Sequence, residues 1–264
     1  MFPDTGSSSK HKKDFYLALC FLTIAVLVVL LVIPVKSQLS VRPVPRTLYC
    51  AWTGNNEMSH ARKACLETIK TSGLNVVLIT PQNLSLFILP WAPLHEGYHY
   101  LSETHKSDYL RCYFMHFYGG GYTDIKNTTK SWLPAWEELN SKPSMYANGY
   151  AEPSPECVDH HKNPVLNRLL HKHYYQLIGN GNYLFRPQTP LTTLWYRTLI
   201  KTLDAHIEQL RKYPRRHPQQ TFSPEYPYPF KWAAFSGQIF HPVCYKYRSH
   251  LLHTLPAFVP SNYR

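Results

Sequence analysis

The run Gly119-Gly120-Gly121 constrains this chain more than any other stretch. Ahead of it, Leu110, Phe114 and Phe117 recur at three- and four-residue spacing, a stripe that predicts a helix reaching back to about His105. Behind it, Tyr122-Thr123-Asp124-Ile125 has the bulk and β-branching of a short strand. The glycines stop the helix and permit backbone angles that side-chain-bearing residues adopt only at a cost. The expectation is helix, tight turn and strand, the strand ending on Asp124 and, two residues on, Lys126. A period of two puts that carboxylate and that ammonium on one face, where the chemistry is expected.

The flanking sequence predicts the sheet. Residues 47–52 are a first strand ending at Thr53-Gly54, residues 57–70 a helix, and residues 75–80 a buried second strand after Gly73. Strand, helix and strand at this spacing imply a right-handed crossover and a parallel sheet covered on both faces. In such sheets ligands bind beyond the carboxyl ends of the strands, which is where Trp52, Thr53 and Asp124 fall. Trp52 reads equally well as a core tryptophan. Further on come a short helix at 132–139, a strand at 146–150, a loop at 152–164 and a strand around 183–185. A long helix then starts at Pro190 under a Thr189 cap and runs to about Arg211, with Leu191, Trp195, Leu199 and Leu203 in its apolar stripe. Residues 214–229 are proline-rich and basic and read as a mobile loop, solvated or closing over a ligand.

The 264 residues leave room for one sizeable domain and an anchor. Residues 15–35 are uncharged and apolar over the length a helix needs to cross a bilayer. Lys10, Lys12 and Lys13 precede them and favour a cytoplasmic N-terminus, although Lys36, Arg42 and Arg46 follow. The expected organisation is a cytoplasmic tail (1–14), a transmembrane signal anchor (15–35), a stem (36–46) and a domain (47–264). That describes a single-pass type II membrane protein with its domain in the Golgi or endoplasmic-reticulum lumen. The rival is a signal peptide cut before Gln38. A net charge of +12 suits a nucleotide diphosphate or a membrane surface, and 20 tyrosines with 6 tryptophans suit stacking on rings or a tyrosine-rich core. Nucleic acid is not an expected partner, because no zinc-finger, RNP or basic-helix pattern occurs. Beyond the anchor, Cys50, Cys65, Cys112, Cys157 and Cys244 allow at most two disulfides, and Asn83 and Asn127 open glycan-acceptor tripeptides.

Taken together, Ser107, Asp108, Arg111, Tyr118, Gly119, Gly120 and Asp124 resemble the donor-site signature of sugar transferases with the GT-A fold. The similar group is the DXD-containing one of α-1,6-mannosyltransferases, α-1,4-galactosyltransferases and capsular polysaccharide synthesis proteins. The resemblance covers roughly residues 47–250. It implies a GT-A-like α/β fold: a mixed, mainly parallel sheet flanked by helices. It also implies transfer of a sugar, with retention, from a nucleotide-sugar donor to a glycan or glycoconjugate acceptor in polysaccharide biosynthesis. Carried onto this chain, it places donor contacts at Trp52, Thr53, Asp108, Arg111, Tyr122, Asp124 and Lys126. It implies a divalent cation, Mn²⁺ or Mg²⁺, held by Asp124 and by His241 in the late segment 232–242.

One departure matters: Lys126 stands where the pattern has its second acid. It either contacts the diphosphate as a fixed cation or pairs with Asp124 and holds it ionised. Asp108 reads as a ribose or base ligand or as a helix N-terminal acid behind Ser107, and His241 as a ligand or a buried hydrogen-bonded histidine. No catalytic residue is assigned; Glu152, Glu156 and Asp159 are the unassigned acids nearby. Two rivals stand beside the enzyme. One is a non-catalytic carbohydrate-binding or scaffold protein on the same fold, and the other is a secreted basic binding protein.

Overall fold

The computed structural model describes residues 42–259, so the anchor at 15–35, Cys20 and most of the stem lie outside the described residues. Among the described residues no helix is long and apolar enough to cross a membrane. The chain forms β1 (Thr47–Ala51), α1 (His60–Ile69), β2 (Asn75–Ile79), α2 (Glu103–Phe117), β3 (Gly120–Thr123) and α3 (Leu133–Ser141). There follow β4 (Ala147–Ala151), α4 (Pro164–Lys172), β5 (Ile178–Phe185), α5 (Pro190–Asp204), α6 (Ile207–Lys212), α7 (Gly237–Lys246) and β6 (Leu251–Leu252).

The six strands make one sheet in the order β2-β1-β3-β5-β4-β6. β1 is parallel to β2 and β3, β4 is parallel to β6, and β5 runs antiparallel to both neighbours. The sheet is therefore mixed and mainly parallel, flanked by helices, and the start of β5 lies at the same edge as the carboxyl ends of β1, β3 and β4. Alternation along each strand feeds two cores. Tyr49, Tyr122, Tyr183 and Phe185 pack under α2, α5 and α7, while Leu48, Cys50 and Leu184 pack under α1 and α3. The first core is aromatic: Tyr49 stacks on Phe114 with ring centroids 4.6 Å apart, and Trp195 tilts on Phe240 at 4.5 Å. Each such contact adds about 0.5–1.5 kcal/mol beyond burial.

The glycine turn is tighter than its sequence shows. Gly119 and Gly120 have φ of +68° and +85°, and a Cβ on Gly120 would stand 2.5 Å from the carbonyl of Thr47. Two of the glycines begin β3, so the strand is shifted and Asp124 follows its last residue. α2 likewise begins four residues ahead of Ser107. Ser102 caps it, its Oγ accepting from the His105 amide, which removes the reading of Asp108 as an N-terminal acid.

Other expectations are corrected. The predicted helix to Arg211 breaks at Ala205-His206, which lets Ile207 and Leu210 close on Gly97. The segment expected to be mobile has a buried residue, Tyr228, near its end, although Phe222 within it is exposed. Tyr228, Phe230 and Phe235 are buried around His105, whose ring stacks on Tyr228 and meets the carbonyl of Lys231 at 3.0 Å. The thiols of Cys50, Cys112 and Cys244 are buried core groups without disulfides. The two asparagines of the acceptor tripeptides both have partners within the protein. Asn83 binds the amide of Thr80 and the carbonyl of Leu78, and Asn127 accepts from the Cys65 thiol and bridges to Val259.

Candidate active site

Asp124 sits where β3 leaves the sheet, its amide donating to the carbonyl of Gly181 on β5 at 2.8 Å. Its Oδ1 accepts from Arg111 Nη2 at 3.0 Å and from the Tyr122 hydroxyl at 3.3 Å, and its Oδ2 accepts from Lys126 Nζ at 3.0 Å. Arg111 comes from α2, one turn after Asp108, and its Nη2 also reaches Asp108 Oδ1 at 3.1 Å. Its Nη1 donates to the carbonyl of Asn180 at 2.6 Å, and its guanidinium lies 4.6 Å from the centre of the Tyr122 ring. Ser107 completes this side through a 2.8 Å hydroxyl contact with Tyr122. The structure thus brings Asp108, Arg111, Tyr122, Asp124 and Lys126 together.

The two carboxylates differ in environment. Burial pushes Asp108 up to about 7, reinforced by the charges of Asp124 and Asp159 and only partly countered by Arg111. Burial also opposes ionisation of Asp124, but Arg111 and Lys126 together outweigh it and hold the carboxyl below its usual range. Burial opposes the charge on Arg111 too, yet Tyr122, Asp124 and Asp108 raise it well above its ordinary value. One fixed anion and one acid titrating near neutrality therefore share a guanidinium.

The array continues through β5. Asn180, whose carbonyl takes Arg111, places its side chain 3.1 Å from His241 Nε2, and the same nitrogen lies 3.0 Å from Glu152 Oε1. Burial raises Asp159, with the charge of His241 opposing and that of Glu152 adding, and its Oδ2 is enclosed without a protein partner. Tyr150 accepts from the Gly181 amide at 3.3 Å. Asn180 is the residue that sequence reasoning missed, and Glu152 appears in it only as an unassigned acid nearby. Glu152 directly follows β4, a signal present in the sequence. Asn180 was hidden because Gly179 and Gly181 disguise the start of β5. Their missing Cβ atoms make room for the rings of Tyr150 and Phe258, which come within 2.1 and 2.0 Å of those positions. Phe258 also lies under Lys126 Nζ, 4.0 Å from ring centre to nitrogen.

A cleft of about 240 Å³ opens at the carboxyl ends of β1 and β2, lined among others by Thr53, Thr80, Glu103, Lys106 and Arg215, and none of Asp108, Arg111, Tyr122, Asp124 and Lys126 lines it. Thr53 donates to the carbonyl of Glu103 at 2.7 Å, and the Glu103 carboxylate takes Lys106 at 3.3 Å and Arg215 at 2.8 Å. Thr53 therefore lines the cleft. Trp52 does not: it packs with the opposite core, and its indole donates to the carbonyl of Asn56 at 2.7 Å.

The residues present do not fit a resident divalent cation. At nucleotide sites a hard cation is held by one or two carboxylates, with phosphates and waters completing its shell, so it needs at least one uncommitted carboxylate oxygen. Asp124 has both oxygens on cationic donors, and His241 Nε2 is engaged by Glu152 and Asn180. Among the described residues no group of three histidines, cysteines or acids is arranged to hold a metal.

No family model matches the sequence. No curated protein matches it either. Among solved structures, the PaToxG glycosyltransferase is similar at 13% identity and a TM-score of 0.37. The match covers 65% of this chain and 65% of that one, a likeness too distant to assign chemistry.

Proposed function

We propose that this protein is a glycosyltransferase of GT-A type, moving a sugar from a nucleotide-sugar donor to a glycan or glycoconjugate acceptor with retention. The observation that carries the reading is the convergence of Asp108, Arg111, Asp124 and Lys126, from α2 and from the end of β3, at the carboxyl edge of a mainly parallel sheet. Asp108, Arg111 and Asp124 belong to the residues that resemble the donor-site signature, Lys126 replaces its second acid, and all four stand at the edge where sheets of this kind bind ligands. The cleft at β1 and β2 then takes the nucleoside, with Thr53 as a polar contact. Lys126 and Arg111 face the diphosphate and neutralise the charge that grows on it as the glycosidic bond breaks. Asp124 fixes both cations, and Asp108 fixes Arg111 from behind. The uncharged stretch at 15–35, preceded by Lys10, Lys12 and Lys13, supports a type II anchor with the domain in the Golgi or endoplasmic-reticulum lumen.

The test is release of free nucleotide from a panel of nucleotide sugars by the full-length chain. One donor should be turned over, and Asp124→Asn, which keeps the shape and removes the charge, should lower turnover at least about a hundred-fold. Full activity in that variant sinks the reading. So does an inert wild-type protein that binds glycans, which would favour the non-catalytic alternative.

A further inference from the structure

The position that a cation-binding signature gives to its second acid is held here by Lys126, and the geometry around it goes further than the substitution alone. Both oxygens of Asp124 are committed, Oδ1 to Arg111 and Tyr122, Oδ2 to Lys126 at 3.0 Å. A divalent ion placed on either oxygen would lie next to a fixed positive charge, with only one carboxylate in return. The ammonium is also seated. It lies 4.0 Å from the centre of the Phe258 ring, and Phe258 in turn fills the space above Gly181 that any side chain there would take. Within the array, the Lys126 side chain is 18% exposed against 8% for Arg111, so it is the cation of this cluster an arriving anion meets first.

We propose that this site binds a nucleoside diphosphate group without a divalent cation, with the Lys126 ammonium, backed by Arg111, standing in the metal's place. The proposal rests on the donor-site reading above and adds how the diphosphate is held. Its stereochemical logic is that of a preorganised charge. A lysine fixed by Asp124 on one side and an aromatic face on the other needs no ion to be recruited with each substrate.

Titration calorimetry on the full-length protein in detergent tests it, using UDP, GDP, CDP, ADP and inorganic pyrophosphate as probes, each in EDTA and in Mn²⁺. The expected result is equal affinity in the two buffers. Lys126→Ala should weaken binding about ten- to a hundred-fold in both, the scale of a charge-assisted hydrogen bond. Lys126→Asp should abolish binding in EDTA and recover it in Mn²⁺, because it restores the acid pair. Thermal unfolding of each variant checks that it is folded. Wild-type binding that requires Mn²⁺, or an unchanged affinity in folded Lys126→Ala, overturns the proposal and leaves the transferase reading standing. Pyrophosphate binding in EDTA that depends on Lys126, with no nucleotide preferred over it and no donor turned over, upholds the charge site and removes the transferase. Absence of binding by every probe in both buffers removes both.

Discussion

Two buried arginines sit at opposite edges of the same sheet, and they are satisfied in opposite ways. Arg186, at the end of β5, spends its guanidinium on main-chain carbonyls: Met145 and Arg42 at 2.9 Å each, and Leu139 near the end of α3. Arg111, at the other edge, takes one carbonyl and two carboxylates. Burial pulls Arg186 below its ordinary range, while Tyr122, Asp124 and Asp108 together outweigh burial and lift Arg111 above its own. A guanidinium among neutral carbonyls ties elements together, and here it joins β5, the end of α3 and Arg42. A guanidinium between two acids of unequal ionisation holds charges in place against their solvation, an arrangement that folding alone does not require.

Removing Arg111 should have the largest effect. Arg111→Ala leaves Asp108 and Asp124 facing each other with one guanidinium fewer, and urea unfolding should show a loss of about 3–5 kcal/mol. A loss below about 1 kcal/mol would dissolve the contrast between the two arginines. Arg186→Met should cost less, about 1–3 kcal/mol, as carbonyls are left unmet. It should leave nucleotide release per folded molecule unchanged; a fall in that quantity would mean that both edges serve the chemistry.

Asp108 sharpens the comparison through pH. Its folded-state value is raised from 3.8 to about 7, so between those values the folded protein keeps a proton that the unfolded chain has released. Stability from this group therefore falls as pH rises from about 4 to about 7 and is fully lost above that window. Asp108→Asn should remove this component, and the difference in urea midpoint between variant and wild type should grow across the window. His105 acts in the reverse sense. Burial lowers it to about 4, so it withdraws stability as pH falls below 6.5. Comparing variant with wild type at each pH cancels that contribution. A difference that stays flat from about pH 4 to pH 7 would show that Asp108 is ionised throughout.

The smallest effect concerns Phe258. Phe258→Ala removes the ring under Lys126, worth about 0.5–1 kcal/mol at a partly exposed position, or a few-fold in diphosphate affinity. The melting temperature should hardly move. Unchanged affinity would leave Asp124 as the main support of the ammonium.

How much of this was legible depends on whether a residue's partner lies nearby in the chain. The β1-α1-β2 unit, α2, the glycine turn, Thr189 as a cap and the stripe of α5 follow from local spacing, and the structure has them. The start of β5 was not legible, because glycines that make room for Tyr150 and Phe258 look like a break until those rings are present. The loop at 214–229 looked solvated because proline and charge dominate it, and Phe222 within it is exposed, whereas Tyr228 near its end buries itself against His105, more than a hundred residues earlier.

By itself, the sequence determined a helix, a glycine turn and a strand delivering one acid and one base to a single face, because helix and strand periods act over a few residues. Only the tertiary structure decided what surrounds them. Arg111 lies between two acids, both oxygens of Asp124 are committed, Glu152 and Asn180 join through His241, and Trp52 belongs to the other face. Those outcomes turn on which strands become neighbours and how deeply each charge is buried. Both depend on contacts between residues far apart in the chain, which local spacing does not encode.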